Sequence, residues 1–260
     1  GLVYGTYLST GIAVVPSVTV ALGGQYVALN GGGGPGYGGG LRGTVRGFSR
    51  QSRKRLIDLI HQVDRNKTNL PKFVTLTYPR EWPSDWRVYK GHLHSWLRRL
   101  RRQYPRSSVI WRLEYQKRGA PHYHILVFGV PYLPKSWVSR TWFEVVASGD
   151  DRHLAAGTQV AGVHTWRGAA YYCAKYLGKV CEFGTVETGR MWGVRGVLPI
   201  ELDRWELTWE QWHQARRVLR RWLKRKVGLR AWWCSQRGAG LTAYMDEGNW
   251  ARVHGWVVAG

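Results

Sequence analysis

Hydrophobic positions along this chain repeat with two different periods, and the switches between them mark out helices and strands. From Phe48 the spacing is helical. Ser49 or Ser52 can cap, and Leu56, Ile57, Ile60 and Val63 form an apolar stripe with Arg53, Lys54 and Arg55 on the solvated side. Lys72 to Tyr78 (KFVTLTY) alternates as a strand closed by Pro79, with Phe73, Thr75 and Thr77 on one face. Lys90 to Arg102 is helical again, with Leu93, Trp96, Leu97 and Leu100 inward and Arg98, Arg99, Arg101 and Arg102 largely outward. Val109 to Gln116 and His122 to Phe128 are β-branched and aromatic runs separated by KRGAP, which reads as a hairpin. A short element follows at Val138 to Val146, then a loop-like stretch over 147–165 with a strand expected at Val160 to Thr165. GAAYYCAKYLGK, residues 168–179, suits a helix ending near Gly178. A helix beyond Arg204 opens on a capping box, Thr208 with Gln211, and buries Trp212, Ala215, Leu219, Trp222 and Leu223 along one face.

The two ends read differently. Residues 1–40 carry no charge, but Leu2 to Leu29 is broken by Gly, Pro16, Ser, Thr and Gln25, so VTVAL-GG-QYVAL is read as a hairpin with a two-residue turn and not as a membrane span. No basic region of a signal peptide precedes it. Gly1 in place of Met is consistent with a trimmed start. GGGGPGYGGG, residues 31–40, has the composition of a flexible linker. The expected organisation is a Gly-rich extension over 1–44, a working domain over 45–200, and a basic, Trp-rich helical extension over 201–260. The tail from Val227 has no assignable pattern.

Charge narrows the function. The net charge is +23 and the pI near 10.5, so the expected partner is a polyanion. Sixteen Trp and fourteen Tyr are interleaved with 39 Lys and Arg, which places stacking surfaces beside phosphate contacts, as single-stranded nucleic acid binding requires. On the helix after Arg204 the cations Arg216, Arg217, Arg220, Arg221 and Lys224 share a face, open to reading as solvated or as DNA-contacting. Cys173, Cys181 and Cys234 form neither a zinc ribbon nor a disulfide framework, so a reducing cytoplasm is expected.

Candidate chemistry centres on Glu114 to Phe128, EYQKRGAPHYHILVF. Alternation puts His122 and His124 on one strand face, about 6.5 to 7 Å apart. With the turn centred near Gly119, Glu114 lies opposite His124; a slip of one residue would turn the carboxylate away. Two imidazoles and a carboxylate suit an open divalent-metal site, while an isolated HxH can equally be surface decoration. His92 and His94 also read HxH, but on a helix, where i and i+2 diverge. Downstream, Tyr172 and Tyr176 share a helix face, with Lys175 and Lys179 as a second i, i+4 pair. A phenol is only about 0.1% ionised at pH 7, so it attacks a phosphodiester slowly unless the phosphate is polarised. A metal on Glu114, His122 and His124 would supply that, and Lys175 is either a phosphate-neutralising group or an ordinary surface lysine.

FVTLTYP, EYQKRGAPHYHILVF and YYCAKYLGK stand in the order of the three motifs of rolling-circle replication initiators, the HUH-type endonucleases. The chain resembles those of single-stranded DNA phages and related plasmids, over about residues 45 to 200 and including GRMWG at 189–193. The resemblance implies an α+β fold, a central antiparallel sheet flanked by helices. It also implies nicking of one strand at an origin, a 5′-phosphotyrosine intermediate and a freed 3′ hydroxyl. His122 and His124 would bind Mg²⁺ or Mn²⁺ with Glu114 as third ligand, and Tyr172 and Tyr176 would be two alternating nucleophiles; Tyr171 is a neighbour that could replace Tyr172. Lys179 and the Arg216, Arg217, Arg220 and Arg221 face would contact DNA. Relaxases of conjugation carry their tyrosine before the histidines, unlike this chain. No GxxxxGK[ST] motif occurs, so a host helicase in a bacterial cytoplasm is the expected partner. The uncharged start has no counterpart in that family. Competing readings are a transposase of the same superfamily, a non-catalytic single-strand-binding protein, and a non-haem iron enzyme built on the same two histidines and carboxylate.

Overall fold

A computed structural model describes residues 15–31, 47–166, 169, 181–182, 188–227 and 240–258. The chain divides into two compact units, 41–200 and a second made of 1–40 with 201–260. Both are mixed α and β, with antiparallel sheets and helices packed on them.

The larger unit begins with β1 (Gly47–Phe48), which pairs with β2 (Cys181–Glu182). Its main sheet has five strands: β3 (Lys72–Thr77), β4 (Ser108–Tyr115), β5 (Pro121–Phe128), β6 (Thr158–Gly162) and β7 (Trp192–Arg195), in the spatial order β6-β3-β5-β4-β7. All neighbours in it are antiparallel. The helices are α1 (Arg50–Gln62), α2 (Trp86–Gln103), α3 (Lys135–Val146) and α4 (Asp151–Ala156). Ser49 caps α1 by accepting from the Ser52 amide at 3.2 Å. Val63, expected on the α1 stripe, is buried just past its end. The second helix starts four residues before Lys90, because Asp85 accepts from the Arg87 amide at 2.8 Å and closes the first turn there. Short α4 lies inside the stretch expected to be loop; Asp150 caps it in the same way. The strand expected at Val160 to Thr165 runs instead over Thr158–Gly162.

The sheet has two distinct faces. Tyr123 donates to the Tyr89 carbonyl of α2 at 3.0 Å and packs edge-on to Trp142 of α3, so its face lies under those two helices. His122, His124, Leu126 and Phe128 alternate to the other face. There Ile60 of α1 lines a crevice with Leu126 and Phe128, and Trp166 and Ala169 join the same lining. Leu93, Trp96, Ile110, Tyr123 and Leu126 are fully buried in the resulting core.

In the smaller unit, β8 (Ser17–Ala21) and β9 (Val27–Asn30) form the hairpin read from VTVAL and QYVAL, with Val20 opposite Val27. Five residues, 22–26, connect the strands in place of a two-residue turn, with the Gly24 amide bonded to the Ala21 carbonyl. Strand β10 (Leu202–Glu206) pairs on one side and β11 (Leu241–Ala243) on the other, so chain termini read as separate extensions share one sheet. Helices α5 (Trp209–Val227) and α6 (Glu247–Val258) complete it. The capping box is formed as read: the Thr208 amide bonds Gln211 Oε1 at 3.0 Å and the Gln211 amide bonds Thr208 Oγ1 at 3.2 Å. Gly31 admits no side chain, since a Cβ would lie 2.4 Å from the Trp212 indole. Among the described residues no helix is long and apolar enough to cross a membrane. The linker 32–40 lies outside the described residues.

Leu93 is fully buried between α2 and the sheet, so Leu93→Ala should cost about 2–5 kcal/mol of folding stability, read as a lower urea midpoint in equilibrium unfolding.

Candidate metal and phosphate site

Glu114, His122 and His124 come together through the pairing of β4 with β5. Glu114 stands opposite His122, and Arg112 opposite His124. This corrects the register expected from a turn at Gly119, which set Glu114 against His124. The difference is two positions in the pairing, an even number, so all three side chains still share one face. The turn explains the shift. The Gln116 amide bonds the Ala120 carbonyl at 2.9 Å and the Gly119 amide bonds the Gln116 carbonyl at 2.8 Å, leaving Gly119 at φ +85°. That left-handed conformation favours glycine. Arg118 then pins the turn to the end of β3, donating to the carbonyls of Tyr78 and Pro79 at 2.7 and 2.8 Å while lying over the Trp82 ring.

The cluster is graded in burial. His124 is 3% exposed, whereas Glu114 and His122 sit half-buried towards the turn, where a substrate can approach. His124 Nε2 lies 2.8 Å from Glu114 Oε2, and the two histidine rings meet edge to face with centroids 4.5 Å apart. Phe73 stacks on His124 at 5.7 Å. Burial, and secondarily the neighbouring His124, pushes His122 down to about 4 against the opposing pull of Glu114. At neutral pH His122 is therefore an uncharged imidazole, the form that ligates metal.

A second layer holds that imidazole. Thr77 Oγ1 is 3.1 Å from His122 Nδ1, leaving Nε2 as the ring's outward donor atom. The Thr77 carbonyl accepts from both Trp142 Nε1 and His153 Nε2 at 2.7 Å, and its amide bonds the Gly157 carbonyl at 2.8 Å. Thr77 was legible only as a member of the Phe73, Thr75, Thr77 face; its contact with His122 needed the strand pairing Thr77 to His122. Arg112 was missed altogether. It is fully buried beside the cluster, with its guanidinium 4.4 Å from the Phe48 ring centroid.

Among the described residues no three His, Cys or carboxylate side chains stand in a ready-made coordination arrangement. Glu114 and His124 are hydrogen-bonded to each other instead. The donor set, two imidazoles and one carboxylate on a shared face, is nevertheless of the type that Mg²⁺ or Mn²⁺ accepts once that bond is exchanged.

Tyr171, Tyr172, Lys175, Tyr176 and Lys179 lie outside the described residues. The chain on either side of them is on the histidine face. Trp166 and Ala169 line the crevice with Leu126 and Phe128, and Cys181 pairs with Phe48, whose ring underlies Arg112. Three tyrosines of the opposite face are unsuited to attack. Burial raises the phenols of Tyr78, Tyr89 and Tyr123 well above their ordinary value. His92 and His94 diverge as a helix requires: His92 meets the Tyr78 hydroxyl at 2.9 Å, and His94 is exposed. On α5, Arg217, Arg221 and Lys224 are exposed, whereas Arg216 and Arg220 are half-buried, Arg216 over the Trp212 ring.

The pH dependence follows from two buried imidazoles. Burial, aided by Arg65, also lowers His61 to about 4, opposed by Asp58. Both histidines titrate at their ordinary 6.5 once unfolded. Between those values the unfolded chain binds protons that the folded chain does not, so stability falls as pH drops from 6.5 to about 4. Denaturant titrations in chelator across that range should show the fall, and a His61→Gln, His122→Gln variant should lose most of it.

Residues 71–181 match the family model of the ORF2-type replication-associated proteins, a span containing Thr77, Glu114, His122, His124 and both candidate tyrosines. The chain is 29% identical over 204 residues to the replication-associated protein of Pseudomonas phage Pf3, covering 70% of each. It is 32% identical over 74 residues, 25% of its length, to Uncharacterized protein 1 of Halorubrum pleomorphic virus 1, of which that is 14%. No solved structure gives a significant match.

Proposed function

We propose that this relative of phage replication-associated proteins initiates replication as a metal-dependent endonuclease, nicking single-stranded DNA at an origin and joining itself to the cut strand. One observation carries the reading. Glu114, His122 and His124 share a sheet face on which the chain both enters and leaves the segment holding Tyr172 and Tyr176.

When bound by Glu114, His122 and His124, Mg²⁺ or Mn²⁺ supplies Lewis-acid polarisation of a phosphodiester. The remaining work falls to side chains. The hydroxyl oxygen of Tyr172 or Tyr176 attacks phosphorus, the bond from phosphorus to the 3′ oxygen breaks, and the phenol's proton is lost as the departing oxygen gains one. The products are a 5′-phosphotyrosine and a 3′ hydroxyl able to prime synthesis. Lys175 offsets charge on the phosphate, and the second tyrosine serves a later strand transfer. Thr77 keeps His122 oriented, and burial keeps it unprotonated. Lys179 and the exposed Arg217 and Arg221 of α5 hold flanking DNA, with Arg216 and Arg220 beside them. Unwinding is left to a host helicase.

The test is a covalent adduct between the full chain and a single-stranded origin oligonucleotide in Mn²⁺. The adduct should form in the wild type, vanish with chelator, and vanish in a Tyr172→Phe, Tyr176→Phe double variant; its persistence in that variant rejects the assignment. DNA binding without nicking in any divalent metal would instead mark a non-catalytic binding protein. Thr77→Val should raise the metal concentration for half-maximal nicking by about 10–100-fold while leaving the saturated rate near wild type.

A further inference from the structure

On the far side of the sheet from the histidines, α2 and β7 enclose an open groove of about 570 Å³ lined by Ser95, Arg98, Arg99, Arg101, Arg102 and Arg195. The side follows from pairing. Arg195 stands opposite Val109, and Val109 opposite Val127, which alternates with His124 and so shares the Tyr123 face. Five arginines thus converge from two elements about a hundred residues apart in sequence.

Their surroundings do not neutralise them. Arg99 is bound to Glu144 of α3, and Arg98 donates to Ser95 Oγ at 3.2 Å. Among the described residues no carboxylate forms an ion pair with Arg98, Arg101, Arg102 or Arg195, and all four are exposed. The positive field reaches the neighbouring His94, which burial lowers below its ordinary value with Lys90, Arg195 and Arg98 adding to the effect. Arg101 and Arg102 gain from the negative end of the α2 dipole. Arg98 lies a turn earlier and Arg195 belongs to a strand, so that explanation does not cover them. Like charges at i, i+3 and i, i+4, as in Arg98 with Arg101 and Arg102, are disfavoured in a helix unless an anion lies between them.

The lining also defines the ligand. It has no aromatic or aliphatic side chain to anchor a protein partner or stack a base. Guanidinium groups in a row suit phosphates instead. Arg98 to Arg102 spans about 6 Å of helix rise, close to two nucleotides of one strand at roughly 3.4 Å each. Strand β7 is an edge of the sheet, so DNA lying on the histidine face can continue around that edge into the groove. We propose that this arginine groove is a second DNA-backbone site, which holds the strand flanking the nick after it wraps the β7 edge.

The proposal rests on the nicking reading only in taking DNA as ligand, and its test is a binding measurement. The full chain and an Arg98→Gln, Arg101→Gln, Arg102→Gln, Arg195→Gln variant are titrated with short single-stranded DNA covering the nick site alone and with the same DNA extended on each flank. Wild type should gain affinity on one extension. The variant should lose that gain, bind the long DNA about tenfold more weakly, and show a slope of log affinity against log salt smaller by roughly 3. Short-DNA binding and nicking should be unchanged. A matching Lys variant should restore the slope. Equal affinity and slope for wild type and Gln variant on long DNA overturns the proposal, as does a Lys variant as defective as Gln. If the Gln variant is unfolded by circular dichroism, Arg195→Gln alone is measured, with a slope change just under about 1 expected and no change overturning the idea. Loss of slope in a protein that never nicks keeps the groove and rejects the catalytic reading; the converse result does the opposite.

Discussion

The pairing of Glu114 with His122 across one hairpin is the constraint on which the rest of the larger unit depends. Side chains on a strand alternate strictly, so this pair decides which residues face the cluster and which face the core. An odd slip would bury Glu114 and His124 under α2 and α3 and expose Tyr123 and Ile125, which no packing could offset. The register is secured at the turn, where Gly119 takes a conformation suited to glycine and Arg118 holds three carbonyls at the end of β3. A polar cluster is therefore maintained by contacts that lie outside it.

The same alternation divides the sheet by task. One face is sealed by Leu93, Trp96, Leu97 and Trp142, and its tyrosines are held protonated by burial. The other carries His122, His124, Glu114 and the buried Arg112, with α1 and Phe48 covering part of it. Thr77 joins the two: its hydroxyl reaches His122 while its carbonyl takes hydrogen bonds from Trp142 and His153. Orientation of a candidate ligand is thus tied to packing of the covered face, which is where rigidity comes from.

Charge follows the division only in part. Exposed arginines occur on α2 and β7, behind the histidine face, and on α5 of the smaller unit. In that smaller unit β8 and β9 are flanked by strands from the C-terminal part of the chain, and Trp212, Leu219 and Trp250 close its core. The unpatterned tail beyond Val227 contains one of those strands and a helix, with short apolar stretches that acquire meaning only once a partner strand is present.

Local chemistry was readable from the sequence. Helix stripes such as Leu93, Trp96, Leu97 and Leu100, the Ser49 cap and the Thr208 and Gln211 box rest on neighbours three or four residues apart, so their signal is contained in the chain. The shared face of Glu114, His122 and His124 was readable too, because parity survives an error of two in register. The tertiary structure alone decided the rest: that Glu114 faces His122, that Thr77 steadies it, that Arg112 is buried beside it, and that Arg195 meets Arg98 across a groove. Each of these but the first joins residues tens of positions apart. Such pairings are chosen by the summed burial of a whole sheet, a quantity that no short window of sequence contains.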